Sequence, residues 1–546
     1  MVGERYARHG WPFWRGYPVG FMEEQGGKPH VGRASLIMGG SLLLSRILGI
    51  VRDMIMTAQF GRNQFTDAYS LAFVIPDLLF FLIAGGALSS AFIPVYSEYL
   101  HTDRKRDAWH IFSAVATIMT AALFVMVGLV FVYTEPLLRL TLQPEQHASI
   151  PMIAQMSRIV LPAQFAFFLG GLMFGTLYAH QRFSIPGLGP NVYNIGIILG
   201  ALILSHFVHP GIAGMAWGAL IGAFVGNLIL PAWEMRKIGV DFRPNFDFRH
   251  PGVKKVFVLM LPVVFGLSLP GVYGILMRYF GSGFVNGIVT SLDLSNKLMQ
   301  APLGVFGQSF AIAVFPALSQ FFAQERMDMF REQIVKTMRT ALYVSVPIAI
   351  YMAVMAPDIV NALFGYGKGA KSDPTAMVVC LRLFCLGIPA WCMHPILMRG
   401  YFAMHKTVKP IILGTATTLV FIVLAYTLLA TPLSYMGLPL ASSLSAIFLA
   451  CLMTFTLRKD ANGLEVGQIG RALDQTLLAG LAMCIVLVGL CLAWGPGAQH
   501  GSHLLSFARL AVYGLLGMGL YTWITKKMGM PETATIDRAL TKFRNR

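Results

Sequence analysis

SRILGIVRD, residues 45–53, sets Arg46, Arg52 and Asp53 inside an otherwise apolar run that begins near Ala34. A charged side chain at the centre of a bilayer costs about 2.5–3.5 kcal/mol on insertion scales, so such residues face a water-filled cavity or a partner. Two arginines this close together point to an anionic occupant. Arg46 and Asp53 are seven apart and share one face of an ideal helix. Arg46 and Arg52 are six apart, about 120° off at ~100° per residue. They converge on one ligand only if the helix bends or its end unwinds, and Gly49 lies between them to permit that. The alternative is that Arg52 and Asp53 sit at the helix end and meet headgroups, with Arg46 the deeper residue.

Composition extends the same reading to the whole chain. Of 546 residues 56% are hydrophobic and only 12% charged, at a mean hydropathy of +0.64. Ordinary soluble domains carry about 25% charged residues. The chain therefore reads as an all-α polytopic membrane protein, because apolar runs of about 20 residues span as helices. Alternating ten-residue segments of a barrel are not seen. Fourteen spans are expected, at 34–52, 65–100, 110–133, 151–179, 185–205, 212–233, 256–280, 287–322, 340–356, 375–403, 410–430, 437–456, 473–494 and 504–525.

The net charge of +17 is a topology signal rather than a nucleic-acid site. With these spans, 30 Lys and Arg lie in the connections on one side and 4 on the other. The positive-inside rule then puts both termini in the cytoplasm, with some attraction to anionic membrane lipids. Residues 1–33 lack an apolar core and read as a cytoplasmic tail, not a cleaved signal.

The second span is long and polar-studded, with Asp67, Pro76, Asp77, the run AGGALSSAF at 84–92 and Pro94. A kinked, closely packed helix is expected there. Asp53, Asp67 and Asp77 are candidate cavity or gating residues, the last two with Arg46 or Arg52 as partners. The chain then repeats: AFIPVYSEY (91–99) matches AVFPALSQF (313–321) at a shift of 222. Arg158 falls opposite Arg382, Arg182 opposite Lys406 and Pro186 opposite Pro410 at a shift of 224. Six helices per half give two halves of one orientation, related by an axis along the membrane normal as in many transporters. The division is 34–235 for one lobe, 236–251 for a cytoplasmic linker and 252–458 for the second lobe. Residues 473–525 are an additional helix pair, and 526–546 a cytoplasmic tail.

Lys297 lies well inside the eighth span and is the candidate third cation of the cavity. Arg278, Arg399 and Arg509 read as helix-end residues that snorkel. Arg158 and Arg382 read equally as gate ion pairs or as snorkelling residues. The six cysteines fall inside spans without metal-ligand spacing and read as apolar core residues. No phosphate-binding loop, HExxH motif or certifiable nucleophile triad occurs, so neither a cofactor nor an enzymatic activity is expected.

SRILGIVRD (45–53), FGRNQFTDAYSLAF (60–73), the PDLL stretch at 76–79 and SSAFIPVYSEY (89–99) resemble the MurJ/MviN family of lipid II flippases. That family belongs to the multidrug/oligosaccharidyl-lipid/polysaccharide exporter superfamily. HQRFSIPGLGPNVYNIG (180–196) looks like the family's fifth helix with its preceding loop, and GVFGQSFAIAVFPALS (304–319) like its eighth. The resemblance covers the chain after residue 33 and implies two six-helix lobes around a cationic cavity, with the final pair lining a groove for the polyprenyl tail. It implies that lipid II is carried by alternating access from the inner to the outer leaflet of a bacterial cytoplasmic membrane, with other cell-wall synthesis proteins as partners. It also implies that the diphosphate is held at Arg46, Arg52 and Lys297, with Asp53 beside them. Some relatives carry a basic pair and an acid where this chain has Phe80, Phe81 and Gly85. Some carry a seventh-helix acid suited to sodium, which 256–280 lacks.

The physics of the cargo agrees, since arginine forks bind phosphate oxygens through strong charge-assisted hydrogen bonds. The same cations suit other polyprenyl-diphosphate glycans, of O-antigen or teichoic type. A drug or cation antiporter calls for an acid-dominated cavity, and a glycosyl transferase for carboxylate-bearing loops, in place of the short basic ones here.

Overall fold

The computed structural model describes residues 28–83, 87–102, 104–284, 287–493 and 503–534, without the side chains of 28–37, 82–90 and 261–272. The described residues form helices throughout and no strand. Among the described residues ten helices are long and apolar enough to cross a membrane, and the pair Thr375–Cys385 and Ile388–Ala403, bent by 45°, makes an eleventh if it is one span. The other three expected spans also coincide with helices.

Eight helices build the central region. They are α1 (Lys28–Phe60), α2 (Gln64–Leu71), α3 (Val74–Ile83), α4 (Ala87–His101), α5 (Ser184–Leu202), α6 (Pro251–Gly281), α7 (Ile288–Pro302) and α8 (Gln308–Ala323). α1 runs unbroken through Gly49 and eight residues past the expected end at 52. It stops at Gly61, whose φ of +79° turns the chain while its N–H closes on the Thr57 carbonyl at 2.8 Å. The long second span is not one kinked helix: it breaks around Ala72–Phe73, between α2 and α3, while Pro94 stays inside α4. Residues 84–86 of the AGGALSSAF run lie outside the described residues. α7 and α8 are joined by a π-helical turn at Leu303–Gly307.

α5 is held tightly against the next span, because a Cβ at Gly200 or Gly218 would overlap the backbone facing it. Small residues of this kind let apolar helices approach closely where no water drives them together.

The internal repeat reappears in the contacts. Arg158 Nε donates to the Phe131 carbonyl and Arg382 Nε to the Ala353 carbonyl, each at 3.2 Å, and the two carbonyls are again 222 apart. Arg182 bonds Glu234 at 2.8 Å and Lys406 bonds Asp460 at 3.0 Å. Gln181 and His405, 224 apart, are both left-handed, with φ of 56° and 58°. Arg158 and Arg382 therefore act alike: each satisfies the free carbonyl of a helix end, and Arg158 adds Glu135 at 3.3 Å.

Cys380, Cys385 and Cys392 are buried as expected, whereas Cys451 is exposed on the apolar exterior. Arg509 does not snorkel: it is 11% exposed and lies 3.7 Å from Asp358. Arg399 packs its guanidinium 5.2 Å from the Phe315 ring centroid.

Candidate functional site

The site is built on α1, which presents two stripes. The stripe of Ser41, Ser45 and Arg52 faces α5. Asn191 Nδ2 donates to Ser41 Oγ at 2.6 Å, and Asn194 Nδ2 to the Ser45 carbonyl at 3.3 Å. Arg52 Nη1 donates to Asn194 Oδ1 at 3.1 Å. Asn194 thus uses its amide to lock α1 in register and its carbonyl to aim the Arg52 guanidinium. Neither asparagine was singled out as a site residue from the sequence, although an amide in an apolar span is the signal that marks such helix-to-helix bonds.

The second stripe, Arg46 and Asp53, faces α7 and the π-helical turn that follows it. Asp53 is buried and accepts from both sides: Arg52 Nε at 3.0 Å on Oδ1, and Lys297 Nζ at 2.9 Å on Oδ2. Arg52, Asp53 and Lys297 form one cation–anion–cation chain that joins the first helix to the eighth span. The Lys297 side chain is 47% exposed and Arg52 19%. These charges do not sit at a helix end, because α1 continues for two further turns.

Arg46 stands apart from the chain. Because α1 stays straight at Gly49, Arg46 and Arg52 diverge as an ideal helix requires, and they do not converge. The Arg46 guanidinium lies over Gly304 in the π-helical turn, where any Cβ would overlap it. Among the described residues it has no hydrogen-bond or carboxylate partner, and it is exposed.

The expected pairing of Asp67 and Asp77 with Arg46 or Arg52 is not what forms. Asp67 is 0% exposed at the far end of the bundle, the end where α1 finishes. It accepts from Gly287 N at 2.7 Å, Thr290 N at 2.8 Å and Thr290 Oγ1 at 2.7 Å. The free N–H groups and positive dipole end of α7 draw the carboxylate there. Asp77 is drawn instead to Arg278 of α6 at 2.7 Å, and Arg278 Nε lies 3.5 Å from Asp293. Arg278 is therefore a partly buried ion-pair centre and does not snorkel.

Asp67 belongs to a set of bonds that closes the far end. Arg62 donates from its backbone N–H to Ser372 Oγ at 3.0 Å and from Nη2 to the Ser372 carbonyl at 2.7 Å. Gln146 Nε2 reaches the Phe284 carbonyl at 2.9 Å. Asp373, next to Ser372, is held below the ordinary carboxylate range by hydrogen bonds from the Thr375 side chain and backbone. Toward the opposite end, Leu42, Leu43, Leu44 and Ile47 on α1 and Ile312 on α8 are exposed. The first and eighth spans are thus tied together toward the far end and uncovered toward the end where α1 begins.

A second feature lies between the helix Met327–Val354 and the last helix, His503–Lys527, with no lining residue from the other member of the final pair, Val466–Ala493. An apolar groove of about 540 Å³ is lined by Ile348, Tyr351, Leu510, Gly514, Leu515 and Met518. Tyr351 fixes its floor by donating to the Leu510 carbonyl at 2.6 Å.

Comparison with known proteins adds three findings. The family described as "Lipid II flippase MurJ" matches residues 56–512. The "Probable lipid II flippase MurJ" of Bdellovibrio bacteriovorus is 28% identical over 513 residues, covering 93% of this chain and 96% of that one. The "Lipid II flippase MurJ" of Burkholderia cenocepacia is 26% identical over 435 residues, covering 78% and 84%. Among solved structures, "Lipid II flippase MurJ, inward closed conformation" superposes with a TM-score of 0.76 at 21% identity, over 90% of this chain and 99% of that one. An inward-facing multidrug MATE transporter of the same superfamily gives 0.62 at 13% identity, over 78% and 98%.

Proposed function

The chain belongs to the lipid II flippase MurJ family, and from that membership we propose a route by which its own residues carry the cargo. It is a polytopic membrane transporter whose substrate is lipid II. Arg52 and Lys297, joined by Arg46 once α1 bends or its end unwinds, are the groups that hold the diphosphate. The observation that carries this reading is the chain of Arg52, Asp53 and Lys297 across the first and eighth spans, with Arg46 left without a carboxylate among the described residues. Three cations and one anion leave a formal charge of +2, which matches the roughly two negative charges of a diphosphate.

In the empty site Asp53 satisfies both cations. An arriving diphosphate offers more acceptor oxygens than one carboxylate, and it takes over the Arg52 fork and the Lys297 ammonium. Release of Asp53 from Lys297 unties α1 from α7, so binding loosens the contact that holds the two halves together at this depth. The far-end bonds of Asp67 and Arg62 open next, and the anion leaves outward, which an inside-negative potential favours by about 2.3 kcal/mol per charge per 100 mV. The apolar groove between the last helix and the helix carrying Ile348 and Tyr351 takes the polyprenyl tail. The tail therefore never crosses water, which would cost about 0.8 kcal/mol per CH2. The membrane is the bacterial cytoplasmic membrane, with both termini on the cytoplasmic side, where the Lys and Arg excess lies. The six-helix halves 34–235 and 252–458 are the moving lobes, supported by the repeat-matched arginine and carbonyl contacts.

The test is binding of purified full-length protein to lipid II against undecaprenyl phosphate and an O-antigen-type diphosphate lipid. Preference for lipid II, lost in Arg52→Ala with the fold intact, supports the reading. Equal binding of all three lipids, or unchanged binding in Arg52→Ala and Lys297→Ala, contradicts it.

A further inference from the structure

Arg46 and Asp53 are seven residues apart on α1, and their counterparts Gly304 and Lys297 are seven apart on the eighth span, in the opposite order. The two helices therefore run antiparallel with matched rungs, about 10 Å apart at ~1.5 Å per residue. The upper rung is the Asp53–Lys297 bond. The lower rung is a guanidinium laid on bare backbone, since all three atoms nearest to a Cβ built on Gly304 are Arg46 guanidinium atoms. The backbone at that position does not itself require glycine, since its φ lies outside the left-handed region.

We propose that Gly304 is a positioning residue for Arg46. Its missing side chain makes a seat on the eighth span in which the arginine waits, one rung from the place where Arg52 and Lys297 meet the diphosphate. An arginine seated against backbone with no hydrogen-bond partner keeps its donors available to an incoming phosphate oxygen. One bound to a carboxylate does not. A methyl group at 304 expels the guanidinium from the seat, because the backbone of a packed turn cannot retreat while a long side chain can. This rests on the reading of Arg46 as a diphosphate ligand.

The test is a double-mutant cycle on full-length protein, read as lipid II binding together with the thermal midpoint in detergent. Gly304→Ala should weaken binding about tenfold, the size of one displaced charge-assisted hydrogen bond. It should do so without lowering the midpoint, since alanine favours helix over glycine. Gly304→Ala combined with Arg46→Ala should bind no worse than Arg46→Ala alone. Lys is slimmer at its head and fits beside a methyl, so Arg46→Lys should recover part of the binding lost in Gly304→Ala. Gly304→Ser, which also adds a Cβ, should behave as Gly304→Ala does and serves if the alanine variant folds poorly. Additive losses in the cycle, or wild-type binding in both Gly304 variants, overturn the seat. Wild-type binding in Arg46→Ala instead overturns the diphosphate reading beneath it, so the two failures are told apart.

Discussion

Replacing Asp67 with Asn should open the far end. The carboxylate accepts three hydrogen bonds at 2.7–2.8 Å from Gly287 and Thr290 while fully buried. An amide keeps one acceptor oxygen and turns its NH2 toward a backbone N–H, so at least one bond to a charged acceptor is lost. That costs about 1.5–3 kcal/mol. The lost attraction between the carboxylate and the start of α7 adds about 0.3–1 kcal/mol. The closed far end is then destabilised by about 2–4 kcal/mol, which moves its equilibrium about 30-fold or more toward opening. Spin labels on Phe207, 77% exposed, and Thr431, also exposed, would report the separation of the two halves at that end in a cysteine-free background. Wild type should give one short distance, and Asp67→Asn a second, longer population, with the monodisperse fold retained. An unchanged distance distribution in a folded Asp67→Asn protein would refute the latch.

Other perturbations follow from the same contacts. Asp53→Asn leaves Arg52 and Lys297 facing each other uncompensated, so thermal stability should fall, and Lys297→Gln in that background should recover part of it; a further drop in the double variant argues against the chain of charges. Arg278→Met strands the partly buried carboxylates of Asp77 and Asp293, and an acceptor left unpaired in this way costs about 1–3 kcal/mol. The thermal midpoint and the yield of folded protein should therefore fall, and Asp77→Leu should partly restore them, as judged by melts and gel filtration. Arg158→Ala and Arg382→Ala each free one helix-end carbonyl and should cost about 1–3 kcal/mol of stability while flipping continues, a pattern that thermal melts and transport assays separate.

Much of this architecture was legible in the residues, for a physical reason. Apolar runs of span length have no other fold in a bilayer, and a charge inside one is costly enough to mark a site. Arg46, Arg52, Asp53 and Lys297 were found that way. The spacing of 222–224 residues also carried real content, since it located paired arginines that turn out to bind equivalent carbonyls. What stayed hidden was pairing. Asp67 and Asp77 face partners decided by where the second span breaks, and hydropathy is silent about breaks. Arg278 lies three residues from a helix end, a position from which snorkelling and burial look alike until the neighbouring helices are known. Gly304 reads as one more small residue in an apolar helix. Its meaning comes only from the arginine laid over it.

The most direct test of the whole account is complementation. A bacterium depleted of its own lipid II flippase would express this chain, and lipid II exposed on the outer leaflet would be measured. The account predicts restored exposure and growth, lost in Arg46→Ala and Arg52→Ala at equal membrane abundance. Restored exposure in both alanine variants would contradict the cation site, and well-folded expression with no rescue would contradict lipid II as the cargo.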